Sequence, residues 1–173
     1  KLVLKTVGAN LKNRNKLIKL ESIKSNIDIK TFINKKFSLS ELDITTRTIE
    51  IKNLISFIRS IEDSPQIFIL EKFVKKGFLI ADINLKFDQK GNIKDDFIIK
   101  GFVKDGEVKP FKKINLSKIN FIFNIKNNEF EFKDINLFYG YNDLKFPELN
   151  LKKQKNNFLI SGKNKSKNLV LDD

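Results

Sequence analysis

Between Leu79 and Asp88 an apolar side chain stands at every second position: Leu79, Ala81, Ile83, Leu85 and Phe87. Asp82, Asn84, Lys86 and Asp88 fill the places between. Only an extended strand sorts such a run into one apolar and one polar side, because its successive side chains point to opposite faces. A chain built this way has to form a sheet with one wet face and one face that needs cover. The pattern returns at Phe97, Ile99, Gly101 and Val103, at Ile119, Phe121, Phe123 and Ile125, and at Phe130 and Phe132. Phe37–Lys52 alternates less cleanly but is rich in β-branched residues, and Ile23–Phe32 and Asn157–Gly162 are shorter candidates. With about ten strands and short turns, the expected fold is mainly β, an antiparallel meander.

The turns carry the same expectation. Asn127-Asn128 suits a two-residue hairpin loop with positive φ, which pairs Lys126 with Glu129, Ile125 with Phe130 and Phe123 with Phe132. Asp105-Gly106 reads in the same way, pairing Lys104 with Glu107 and Val103 with Val108. "DQKGN", from Asp88, reads as a type I turn closed by Gly91 as the left-handed residue of a three-residue loop. Carried onward, that register sets Phe87 opposite Ile93, Ile83 opposite Phe97, Ala81 opposite Ile99 and Leu79 opposite Gly101. Asp95 would then face the apolar side, which points either to a wet sheet edge or to a register shift there.

Two short helices interrupt the strands. Asn53–Ile61 sets Leu54, Phe57, Ile58 and Ile61 at helical spacing. The next segment offers Ser64 as N-cap, Pro65 at the first helical position, Lys75 and Lys76 in the last turn and Gly77 as the stop. Ile67, Leu70, Phe73 and Val74 form its apolar stripe. The chain therefore divides into strands over 1–52, a helical insert over 53–76 and a meander over 77–173. All belong to one segment, read as part of a longer or processed chain because methionine is absent.

Composition excludes several chemistries. There is no Cys and no His, so disulfides, thiolate nucleophiles and the commonest general base and metal ligand are absent. No cofactor or metal site is expected. The acidic loop fails as an EF-hand, since Lys90 stands where an oxygen ligand belongs and glycine comes fourth. It fails as a phosphate loop for want of further glycines and a G-K-[ST] element. Asp95 and Asp96 are adjacent and point to opposite faces of a strand, so they form no carboxylate pair. Thr45, Thr46 and Thr48 have no histidine to activate them, and no catalytic residue is assigned. The net charge of +13 points toward anions, but only Arg14, Arg47 and Arg59 are arginines and the lysines are spread along the chain. Specific nucleic-acid binding is therefore not expected, because arginine is the usual bidentate reader of bases and phosphates.

Gly77–Phe111 resembles the AsmA-like family of bacterial envelope proteins, of the TamB and YhdP type. The resemblance rests on an alternating strand before a "Φ-D-x-x-G-x-Φ" turn (Phe87, Asp88, Gly91, Ile93). A "Φ-x-G-x-Φ" strand follows (Ile99, Gly101, Val103), with a second turn at Asp105-Gly106. It implies a curved, groove-like sheet, a periplasmic location and an inner-membrane anchor in a segment not present here. The implied work is non-enzymatic: guiding phospholipid acyl chains between inner and outer membranes, with proteins of either membrane as further partners.

The groove residues expected on this reading are Leu79, Ala81, Ile83, Leu85, Phe87, Phe97, Ile99, Val103, Ile119, Phe121, Phe123, Ile125, Phe130 and Phe132. Two other readings stay open. A closed β-sandwich or barrel, serving as scaffold or adhesion module, would bury the same residues in a dry core. A basic nucleic-acid-binding β-domain would use aromatics on the wet face, for which Phe78, Phe102 and Phe138 are the candidates.

Overall fold

Eleven strands pair into one open antiparallel sheet in a computed structural model that describes residues 2–34, 39–111, 113–154 and 157–165. In chain order these are β1 (Leu2–Val7), β2 (Asn10–Asn13), β3 (Lys16–Ile27), β4 (Leu39–Thr46), β5 (Ile49–Glu50), β6 (Val74–Lys86) and β7 (Ile98–Phe111). They continue with β8 (Ile114–Lys126), β9 (Glu129–Tyr139), β10 (Asn142–Gln154) and β11 (Asn157–Lys163). Three helices interrupt them: α1 (Ile29–Ile33), α2 (Ile51–Ile61) and α3 (Pro65–Phe73). The strand order is β1-β3-β4-β6-β7-β8-β9-β10-β11, with β2 on β3 and β5 on β6. The meander expected from the alternation is therefore present. Its outer strands β1 and β11 do not pair with each other, so the sheet is not a closed barrel.

Two turns form as the sequence indicates. At Asn127-Asn128, Lys126 meets Glu129, Ile125 meets Phe130 and Phe123 meets Phe132, with Asn127 at φ 50°. At Asp88, the Gly91 amide donates to the Asp88 carbonyl at 3.1 Å and Gly91 takes φ 88°. The Asp88 carboxylate accepts from the amides of Lys90 (2.8 Å) and Asn92 (2.9 Å) and from the Asn92 side chain (3.0 Å). These donors, the Asn92 side chain foremost, hold its pKa below the usual aspartate value.

Beyond Phe87↔Ile93 the expected register does not continue. Ile83 faces Ile99, Ala81 faces Gly101 and Leu79 faces Val103. A second turn at Asp95-Asp96 takes up two residues, and Phe97 lies before β7 instead of within it. The Asp96 carboxylate bonds the Lys86 ammonium at 2.7 Å and so fixes that turn. Because the slip is even, every side chain keeps its face.

Asp105-Gly106 is not a hairpin. β7 runs through it for 14 residues, and the register against β8 passes from Val103↔Phe121 to Gly106↔Ile119. The pair is a β-bulge, with Asp105 at φ 53° and its amide donating to Asn120 Oδ1 at 3.0 Å.

Helix and strand boundaries also differ from expectation. Ile23–Phe32 is not one strand, since β3 stops at Ile27 and α1 follows. The Asp28 carbonyl there accepts from the Phe32 amide (3.0 Å) and the Thr31 hydroxyl (2.9 Å). Of Phe37–Lys52, Phe37 lies outside the described residues, and the rest is β4, β5 and the start of α2. Between β4 and β5 the sheet would leave the Ala81 amide without a partner. The Thr46 hydroxyl accepts it at 2.9 Å and is buried in doing so.

α2 begins at Ile51, two residues before Asn53. α3 has its Ser64 cap and Pro65 start, but ends at Phe73, because Val74 is already extended at ψ 123°. Lys75 and Lys76 thus belong to β6, although Lys75 Nζ still reaches back to the Lys72 carbonyl at 2.7 Å. Gly77 is not a helix stop either. It sits in β6 at φ 135°, where a Cβ would lie 3.0 Å from Gly106 Cα. The polar end "KNKSKN" is described only as far as Lys165, and the remainder lies outside the described residues.

The apolar face is covered unevenly. Under α2, Ile18, Leu20, Ile49 and Phe57 form one buried cluster, with Leu54 and Ile44 packed on it. A second cluster centres on Ala81, Val103 and Phe123, over the middle of the sheet.

Candidate functional site

The second cluster is the floor of an open groove. A cavity of about 490 Å³ lies above β6, β7, β8 and β9, lined by Leu79, Val103, Val108, Ile119, Phe121, Phe123, Ile125 and Phe132. Ile51 of α2 and Leu70 of α3 close one end. Lys76 is the single charged residue of the lining. Its ammonium reaches Glu107 at 3.4 Å, and Glu107 also holds Lys109 at 2.9 Å. These two lysines, Lys109 first, keep the Glu107 carboxylate below its ordinary pKa. The stem of Lys76 thus lies along the apolar wall while its charge is satisfied at the rim.

The local structure explains why the floor is flat enough to be a groove. Phe123 lies across Gly101, its partner on β7, and a Cβ on Gly101 would come within 2.7 Å of its ring. Phe121 meets Phe132 edge to face, with centroids 5.6 Å apart, and Phe123 at 6.2 Å. Such tilted aromatic contacts hold the rings in place and leave no polar atom to be satisfied.

Of the residues expected to line a groove, ten come together. Leu79, Val103, Ile119, Phe121, Phe123, Ile125 and Phe132 line the cavity, and Ala81, Ile83 and Ile99 belong to the same packed cluster. Four lie elsewhere. Leu85 pairs with Leu42 towards the far end of β6, and Phe87 pairs with Ile93 at the turn. Phe97 lies before β7, while Phe130 stands between Ile125 and Leu151 outside the cavity.

Val108 is in the lining and was hidden by the bulge. Odd residues face the groove up to Val103, and even ones from Gly106 onward. The available signal was that change of phase in "FVKDGEV". Ile51 and Leu70 come from helices whose docking the alternation of strands does not encode.

Family models, curated proteins and solved structures contain no match to this chain. What the site does must therefore be read from its own chemistry. No group of His, Cys, Asp or Glu suited to a metal ion occurs among the described residues. The opposite face of the sheet is polar and mixed in sign. Asn84 bonds both Glu41 (2.9 Å) and Asp43 (2.6 Å), Thr45 bonds Asp82 (2.8 Å), and Lys152 bonds Glu129 (2.6 Å). Phe78 and Phe102 are exposed there, and Lys118 lies 4.8 Å from the Phe138 ring. Carboxylates thus stand among the aromatics that a nucleic-acid reading would use, and their charge repels phosphate.

Proposed function

We propose that this protein binds the acyl chains of phospholipid along the groove over β6 to β9 and does no covalent chemistry there. The carrying observation is the groove itself: an open cavity within the usual size range of ligand sites, about 300–1,000 Å³, whose lining is apolar but for Lys76. An apolar ligand gains about 0.8 kcal/mol for each methylene taken out of water and needs no directed partner. A hydrocarbon chain suits such a lining, whereas a sugar, nucleotide or peptide would lose hydrogen bonds to water without replacement. The resemblance to AsmA-like envelope proteins gives this reading a setting: a periplasmic segment, tethered to the inner membrane elsewhere, that passes lipid toward the outer membrane. The open sheet and its uneven helical cover support a groove over a dry scaffold core.

Native mass spectrometry of the protein purified from bacteria is expected to show co-purified phospholipid. Uptake of a fluorescent fatty acid is expected to fall about tenfold or more in Leu70→Asp, from the lost transfer free energy of one apolar contact. Leu70 is half exposed, so this change leaves the fold intact by circular dichroism. Lipid-free protein whose probe uptake is unchanged by Leu70→Asp and by Phe121→Asp would sink the proposal.

A further inference from the structure

α3 is apolar on every side. Its sequence, PQIFILEKF, sets Ile67, Phe68, Ile69 and Leu70 in succession, and at 3.6 residues per turn four neighbours surround the axis. None of its nine residues is buried. The sheet takes only Leu70, at the end of the groove, and Phe73, whose ring lies 6.2 Å from Phe111. Phe68, Ile69 and Leu70 remain 42%, 47% and 50% exposed. Ile58 and Ile61, at the end of α2 just before the connecting residues 62–64, add two more exposed apolar side chains. A helix that docks on its own protein needs one apolar stripe; one that is apolar all round belongs in an apolar medium.

The charges beside it are arranged for an anionic surface. Lys72 and Lys75 are exposed at the C-terminal end of α3, with Lys72 Nζ 5.3 Å from the Phe68 ring. Arg59 bonds both Asp63 and Glu71, and so neutralises two carboxylates of the hairpin. We infer that the α2–α3 hairpin seats in the interface of an anionic bilayer, with Phe68 and Ile69 among the acyl chains and Lys72 and Lys75 at the level of the phosphates. A groove on a partner protein would cover one side of α3, whereas a bilayer surrounds the rest of it and leaves the lysine ammonium groups in water. A nine-residue helix is only about 13 Å long, against a hydrocarbon core of about 30 Å, so it lies in the interface and does not span. The inference rests on the acyl-groove reading, because Leu70 belongs both to the exposed helix and to the groove wall. Seating α3 in a membrane brings the end of the groove to the lipid.

The chain has no tryptophan, so Phe68→Trp introduces a sole reporter. With vesicles of phosphatidylcholine and phosphatidylglycerol, its emission is expected to shift to the blue and to be quenched by brominated acyl chains, less so with phosphatidylcholine alone. Ile69→Asp is expected to weaken co-sedimentation with the mixed vesicles about tenfold or more, as one apolar side chain is withdrawn from the interface. Uptake of the soluble fatty-acid probe by the groove should be retained in that variant. An unquenched tryptophan, or vesicle binding by Ile69→Asp equal to that of the unmodified chain, overturns the inference. So does a dimer that Ile69→Asp dissociates in a protein that ignores vesicles. Vesicle binding without any probe uptake would instead remove the groove reading and leave the docking surface standing.

Discussion

Gly101 shows how one residue sets the depth of the groove. It is the only position on the floor without a side chain, and Phe123 occupies the space above it. A methyl group there would meet the ring at 2.7 Å, the Ala81 Cα at 3.0 Å and, closest of all, the Ile80 carbonyl oxygen. The ring can swing; the backbone of β6 cannot move without breaking its ladder. Gly101→Ala is therefore expected to destabilise the protein by about 1–3 kcal/mol, the usual cost of overpacking, measured as a lower urea midpoint at unchanged slope. A midpoint equal to that of the unmodified chain would mean that β6 and β7 stand further apart than described.

Residues whose conformation is set by their neighbours in sequence were legible beforehand. Asp88 is held by amides two and four positions on, and Asn127-Asn128 by the strands it joins directly. Asp105-Gly106 was not legible, because a residue with positive φ beside glycine serves a hairpin and a bulge equally well. The choice between them is made by Ile119 and Asn120 on another strand.

At the scale of elements, the bulge recurs. Asp105 of β7, Lys118 of β8 and Asp134 of β9 all have positive φ, and the register shifts beside each of them. Three neighbouring strands thus carry an extra residue at about the same level of the sheet, and on β7 the apolar positions change from odd to even across it. Without the change, Val108 would leave the groove for the wet face. Deleting Asp105 restores unbroken alternation and forces that exchange. We expect a loss of about 2 kcal/mol or more, the cost of withdrawing one buried valine and of burying a polar neighbour in its place. We also expect a matching loss of fatty-acid uptake. Retained uptake would show that the far end of the groove beyond the bulge takes no part in binding. Element type was readable from periodicity, since strands and helices impose different spacings. Element ends were not, because α3 gives way to β6 at Val74 under the pull of the pairing with Val108, a contact distant in sequence.

For the whole molecule, openness has a consequence at the edges. A sheet that does not close ends in strands with free backbone groups, and an extended edge rich in apolar residues invites another chain to pair. β11 is such an edge. All seven of its residues are exposed, and Phe158, Leu159 and Ile160 stand together at 58%, 58% and 62%. Its only lysine, Lys163, lies at the end of the strand, too far along to guard the centre. Among the described residues, β11 pairs with β10 alone. The free protein is therefore expected to self-associate with rising concentration, through pairing that needs no specific side-chain fit. Ile160→Lys places a charge in the middle of that edge, where a second strand would have to bury it. Sedimentation velocity over a dilution series should show larger species growing with concentration for the unmodified chain, and one species throughout for the variant. Association that persists in Ile160→Lys would locate the contact elsewhere. The first place to look would then be α3, where Ile69→Asp becomes the deciding comparison.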